Sequence, residues 1–188
     1  TAVGDKLYVG TNDGLYSLHE KTDRWTLEFG KQSLQVNGIT QLDNEIYIGT
    51  NQGAFKAEQN KNNWELILPN RSLHNIGSDG NSIYAMVYNE LLSSPDHGKT
   101  WQSRQQGLPA DLYTFQIIEK DNTVFAGQWD GVYKTSDQVG LPLISSRWLL
   151  SSNGLPSQFA VTEMKVHKNT LIVGCSERKL TNGLTTNK

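Results

Sequence analysis

The sequence predicts an all-β protein: a β-propeller of four-stranded antiparallel blades, with about five blades or a part of a larger ring. Three observations carry this. A ten-residue pattern recurs along the chain, a tryptophan follows each of its first four copies, and helical spacing of apolar residues is scarcely present. The pattern is clearest as Leu7-Tyr8-Val9-Gly10-Thr11-Asn12-Asp13-Gly14-Leu15-Tyr16. It returns as Ile46-Tyr47-Ile48-Gly49-Thr50-Asn51-Gln52-Gly53-Ala54-Phe55 and as Val124-Phe125-Ala126-Gly127-Gln128-Trp129-Asp130-Gly131-Val132-Tyr133. A weaker copy runs from Ile83 to Leu92, and a fifth begins at Leu171-Ile172-Val173-Gly174. A period of about forty residues suits a propeller blade, and repetition of a four-strand unit favours radial blades over a sandwich.

Each element of the unit has its own signal. In the second copy Val36 to Leu42 reads as a first strand, Asp43-Asn44 as a tight turn and Ile46 to Thr50 as a second strand. Asn51-Gln52-Gly53 turns the chain into a third strand, Ala54 to Ala57. After a turn ending in Asn62-Asn63, Trp64 to Leu68 makes the fourth, which Pro69 is expected to end. Gly and Asn recur at the turns because tight hairpins demand positive φ. The tryptophans at Trp25, Trp64, Trp101 and Trp148 extend the unit beyond one hairpin.

This register divides the chain into one repeat domain, residues 1–175, with blades at about 1–30, 31–70, 71–109 and 110–156. A partial fifth follows at 157–188, of which 176–188 is a polar tail or an incomplete strand. Ala160 to Val166 and Thr170 to Gly174 are its strands, with Asn182-Gly183-Leu184 as a faint third. Only Thr1-Ala2-Val3 stands before the first turn, at Gly4-Asp5, so the reading expects sequence upstream, or terminal strands that combine to close a small ring. Self-association through open blade edges is a third expectation, because unpaired edges invite pairing.

The third unit continues Ser94-Pro95-Asp96-His97-Gly98-Lys99-Thr100-Trp101. It resembles the Asp-box, or bacterial neuraminidase (BNR) repeat, in full. The other units resemble it loosely, through Ser136-Asp137 in the fourth and the closing tryptophan alone in the first and second. At the level of the repeat the resemblance covers nearly the whole chain and extends to the propellers of sialidases, sortilin-type receptors, some xyloglucan hydrolases and photosystem assembly factors. It implies a structural role for Ser94, Asp96, Gly98, Thr100 and Trp101. Asp96 would accept backbone hydrogen bonds, Gly98 would adopt a left-handed conformation and Trp101 would pack between blades.

The resemblance also names a chemistry to look for. Sialidase activity in that family needs three clustered arginines, a general acid and a tyrosine nucleophile with a carboxylate partner. The arginines here are Arg24, Arg71, Arg104, Arg147 and Arg178, mostly beside outer strands or in the tail, and no Arg-Ile-Pro segment occurs. The histidines, His19, His74, His97 and His167, lack local metal-ligand spacing and read as surface residues. Cys175 is the sole cysteine, so no intramolecular disulfide forms. No cofactor and no metal is expected.

What remains is geometric. Turns from second to third strands and the links between blades gather at one end of a propeller, where ligands bind. Those turns contain Asp13, Asn51, Tyr88, Trp129 and Asp130, the candidate contacts, and the links add Leu73-His74, Tyr113 and Phe159 to the same end. Trp129 stands out because a large aromatic replaces a small polar residue. The expected function is a non-catalytic module that presents this end to a protein or a glycan. The alternative is a BNR-type glycoside hydrolase or lyase using carboxylates among Asp13, Asp130 and Glu90. A third reading is a purely structural repeat. A formal charge of −2 argues against nucleic acid, and no apolar run reaches the roughly 20 residues of a membrane span. The chain opens on Thr1 rather than an initiator Met, as a processed or excerpted chain does, and an exported location, periplasmic or secreted, is favoured. Asn70-Arg71-Ser72 fits an N-glycosylation acceptor, meaningful only in a eukaryotic secretory chain.

Overall fold

A computed structural model describes residues 1–110, 113–135, 147–156 and 159–177. The described residues form four sheets of four antiparallel strands and one of two. The first sheet contains β1 (Ala2–Val3), β2 (Lys6–Thr11), β3 (Gly14–His19) and β4 (Trp25–Phe29). The second is β5 (Val36–Leu42), β6 (Glu45–Thr50), β7 (Gly53–Glu58) and β8 (Glu65–Pro69), and the third β9 (Leu73–Ser78), β10 (Ile83–Val87), β11 (Glu90–Ser94) and β12 (Gln102–Ser103). The fourth is β13 (Thr114–Lys120), β14 (Thr123–Gln128), β15 (Gly131–Thr135) and β16 (Trp148–Leu150), and β17 (Phe159–His167) pairs with β18 (Thr170–Glu177) in the fifth. Within each sheet the strands pair in chain order, the meander of a propeller blade. The protein is thus an all-β propeller of consecutive blades.

The repeat explains the packing. Side chains alternate between the two faces of a strand, so each four-stranded sheet has one face for the blade before it and one for the blade after. Tyr8 and Leu15 of the first sheet pack with Ile46, Ile48 and Phe55 of the second. Tyr47 and Ala54, their counterparts in the second sheet, pack with Ile83, Ala85 and Leu92 of the third. Tyr84, Met86 and Leu91 then meet Ala126, Tyr133 and Trp148, and Val132 meets Val161 and Met164. There is no single core but a series of apolar seams between sheets.

The recurrent tryptophan is a fastener directed backwards. The Trp101 indole N–H donates to Ile67 O of the second sheet at 3.0 Å, and that of Trp148 to Arg104 O at 2.7 Å. Trp64 stacks on Phe29 of the first sheet, centroids 5.1 Å apart. Trp25, with no described sheet before it, is 44% exposed, as are Leu7, Val9 and Leu27 to similar degrees on the same open face.

One expectation about strand ends holds, and one feature departs from the sequence reading. The fourth strand of the second sheet ends at Pro69, as expected, with that residue paired to Gly53. β8 is an outer strand, where proline's missing N–H breaks no ladder. Each complete inner strand also carries a register shift near its start, skipping Asn37, His74, Phe115 and Thr162 in turn. Alternating apolar residues give no sign of such a bulge. Ser136-Asp137 and Asn182-Gly183-Leu184 lie outside the described residues.

Glycine is required where the third strand opens. Gly14, Gly53 and Gly131 have φ of 127°, 133° and 149°. A Cβ at Gly14 would lie 2.5 Å from Phe29 O, and one at Gly53 would strike Leu68 O. The third copy manages without glycine because Asn89, one residue earlier, takes the positive φ, at 60°.

Candidate functional site

The turns between second and third strands and the links between sheets emerge at one end of the blades. There the third and fourth sheets build a row of aromatic rings. Tyr88 projects from the β10–β11 turn and is 63% exposed. Its ring meets that of Tyr113, centroids 5.0 Å apart and nearly perpendicular, and the Tyr113 ring also lies perpendicular to that of His74 at 5.0 Å. Phe115 follows at 6.0 Å from Tyr113 and stacks on Trp129 at 5.7 Å and 24°. Trp129, on the β14–β15 turn, retains 36% exposure. Edge-to-face and offset contacts of this kind stabilise one another and hold the outer rings presented to solvent.

Bulges put two of these rings in place. His74 and Phe115 are the skipped residues of β9 and β13, and an extra residue in a strand re-aims its side chain. The backbone beneath is tied across the seam. His74 Nε2–H donates to Thr114 O at 2.7 Å and Asn75 Nδ2 to Phe115 O at 2.6 Å. Asn37 repeats the device one seam earlier, donating to Leu73 O at 2.7 Å, and Gln116 repeats it one seam later by accepting from Met164 N–H. Burial lowers the His74 pKa below the ordinary histidine value, against the pull of its bond to Thr114, and so favours the neutral ring.

Of the five candidate contacts, the structure joins Tyr88 and Trp129 through Tyr113 and Phe115. Asp130 adjoins Trp129 and accepts the Tyr133 hydroxyl at 2.9 Å. Burial, and then that carboxylate, push the Tyr133 pKa up to about 12. Asn51 serves the fold: its Oδ1 accepts from Gln35 N–H at 2.8 Å and its Nδ2 donates to Ser33 O at 2.9 Å, clamping the link between the first two sheets. Asp13 is exposed on the turn of the first sheet. The three carboxylates belong to three different sheets, Asp13 and Asp130 on turns and Glu90 at the start of β11, 3.6 Å from Arg71 in an ion pair. Of the link residues, Leu73 is buried, Phe159 is half-buried at the start of β17, and His74 and Tyr113 join the ridge. Phe115 was not among the residues singled out, since a phenylalanine inside a strand pattern reads as core.

At the opposite end lies the turn between β11 and β12. Ser94 Oγ donates to Asp96 Oδ1 at 2.8 Å, Thr100 N–H to the same oxygen at 2.9 Å, and Thr100 Oγ1 to Asp96 Oδ2 at 2.7 Å. Gly98, with φ of 86°, donates its N–H to Ser94 Oγ at 2.7 Å. Beside this turn is a polar cluster. The Tyr47 hydroxyl donates to Glu45 Oε2 at 2.5 Å, His97 Nδ1 lies 2.8 Å from the same oxygen, and Lys56 Nζ is 3.0 Å from Oε1. Burial works against the Glu45 carboxylate, but these partners hold it below the usual carboxylate range, and burial with the adjacent Glu45 drives the Tyr47 pKa far up. His97 is therefore not a bare surface residue but a bond between the second and third sheets.

No protein-family model and no curated protein matches this chain. Solved structures do match. YCF48 from Cyanidioschyzon merolae aligns at a TM-score of 0.67 and 11% identity, over 95% of this chain and 66% of that one. The extracellular domain of BT4673 from B. thetaiotaomicron aligns at 0.68 and 17%, over 90% of this chain and 24% of its own. An ancestral GH74 enzyme aligns at 0.62 and 18%, over 77% of this chain and 22% of its own. The chain thus spans about a quarter of the length of the B. thetaiotaomicron domain. At these identities the likeness is one of fold.

Proposed function

We propose that the protein is a non-catalytic binding module whose ligand, a segment of another protein or a glycan, lies along the ridge of Tyr88, Tyr113, Phe115 and Trp129. The observation that supports this is a continuous run of ring contacts ending in two exposed aromatic side chains, the residue types that dominate binding energy in interfaces. Among the fold neighbours, YCF48 has been solved bound to the D1 peptide, which favours a polypeptide over a sugar. The turn from Ser94 to Trp101 belongs to the same proposal as an Asp-box, and with it kinship to BNR-repeat propellers. It serves the scaffold and leaves the opposite end to the ligand.

The test is a screen of arrayed peptides and oligosaccharides against the wild type, followed by titration of the strongest binder. Trp129→Ala and Tyr88→Ala should each weaken binding at least tenfold, as hot-spot aromatics do. Undiminished binding by both variants would overturn the reading.

A further inference from the structure

Resting on the ridge as a binding surface, we infer that the side chain it selects is a cation carried by a polypeptide, an arginine guanidinium in the first instance. The exposed aromatic rings are the first ground. An aromatic face carries negative quadrupole charge, and tryptophan is the strongest cation acceptor of the three aromatic residues. Trp129 and Tyr88 are the exposed rings at the two ends of the row.

The second ground is a surplus of acceptors around Trp129. Asp130 Oδ2 receives the Tyr133 hydroxyl, but Oδ1 is buried and has no donor among the described residues. No lysine or arginine among the described residues forms an ion pair with Asp130. Gln128, on the other side of Trp129 in the chain, is fully buried. Its Nε2 donates to Thr114 Oγ1 and so ties it beneath the ridge, while its Oε1 has no donor. In the first two copies this position is Thr11 and Thr50, whose hydroxyls close their own turns by donating to Gly14 O at 2.9 Å and Gly53 O at 2.7 Å. The fourth copy has exchanged that self-contained hydroxyl for an amide whose oxygen is left over. Both oxygens lie out of a ligand's direct reach, but their uncompensated negative charge density makes the surroundings of Trp129 favourable to a positive charge.

The third ground is charge. Arg71 is paired with Glu90 and burial disfavours a charge on His74, whereas Asp130 forms no ion pair among the described residues. Its attraction for a cation over Trp129 acts through space and needs no direct bond. A neutral sugar supplies hydroxyl donors but meets no charge, and an anionic ligand is repelled. Guanidinium fits this setting: it is planar, always charged and stacks on aromatic faces.

The experiment uses peptide arrays in matched pairs that differ only in arginine against citrulline, its neutral isostere, with calorimetric titration of the best pair. Arginine peptides should bind about tenfold more tightly than their citrulline partners. In Asp130→Asn, where the amide oxygen still accepts from Tyr133, that preference should shrink to about twofold, with an unchanged thermal midpoint. Raising salt from about 50 to about 500 mM should erode the preference in the unmodified protein as well. Equal binding of arginine and citrulline peptides, a preference that survives Asp130→Asn in a folded variant, or no binding to any arginine peptide would overturn the inference. Charge-indifferent ligands whose binding is nonetheless lost in Trp129→Ala would sink the cation inference alone. Ligands indifferent to Trp129→Ala and Tyr88→Ala would sink the ridge itself.

Discussion

Asp96 shows how one side chain can organise a turn from within a few residues. Donors from Ser94 and Thr100 converge on its carboxylate, and the Thr100 hydroxyl and amide hold its pKa down at about 2. An unfolded aspartate titrates near 3.9, so the charged form favours the folded state. That stability is complete above about pH 4 and disappears as pH falls through about 2. Asp96→Asn should therefore flatten the decline of the melting temperature between about pH 4 and pH 2, as measured by circular dichroism. An unaltered slope would show that the turn tolerates a neutral side chain. The role of Asp96 was legible in the sequence because every bond it makes spans four residues or fewer. The neighbouring bond from His97 to Glu45 spans 52 residues, and no local pattern announces it.

Strands of the same motif meet different fates according to which sheets flank them. Val9 and Ile48 occupy the same place in the repeat, yet Val9 is 39% exposed on the open face of the first sheet and Ile48 is fully buried in a seam. Ile48→Ala should cost about 2–5 kcal/mol by the loss of buried methyl groups and the cavity left behind. Val9→Ala should cost less than about 1 kcal/mol. Urea titrations of the two variants make the comparison, and equal losses would contradict the face assignment. The strand periods and turn residues of β5 to β7 could be read directly, because glycine, asparagine and alternation are local signals. The bulges at His74 and Phe115 could not, and with them went half of the ridge: a skipped residue exists only relative to its partner strand. Tyr88 and Trp129 were legible as departures from the small polar residues of their sister turns, whereas the capture of Asn51 by the link at Ser33–Gln35 was not.

At the scale of the whole molecule, sheets in series imply graded protection. β6 and β10 lie in sheets with a seam on both faces, and β2 and β18 in sheets with a described seam on one. Native-state hydrogen exchange should find the amides of β6 and β10 slower than those of β2 and β18, as repeat architectures transmit stability through neighbours. Uniform protection would mean that the sheets open as one unit. The propeller class itself was plain in the sequence because the repeat is a whole-chain signal. The direction in which each blade grips its neighbour was not, since it depends on where an indole N–H lands.

That direction matters during synthesis. Trp101 closes on a carbonyl 34 residues earlier and Trp148 on one 44 residues earlier. A nascent sheet therefore leaves the ribosome with its strands complete but its clasp still unmade, and its hold on its successor is completed when the closing indole of that successor emerges. Each sheet is a waiting template for the next, and a pause in translation just before one of these tryptophans would prolong the life of a half-docked intermediate.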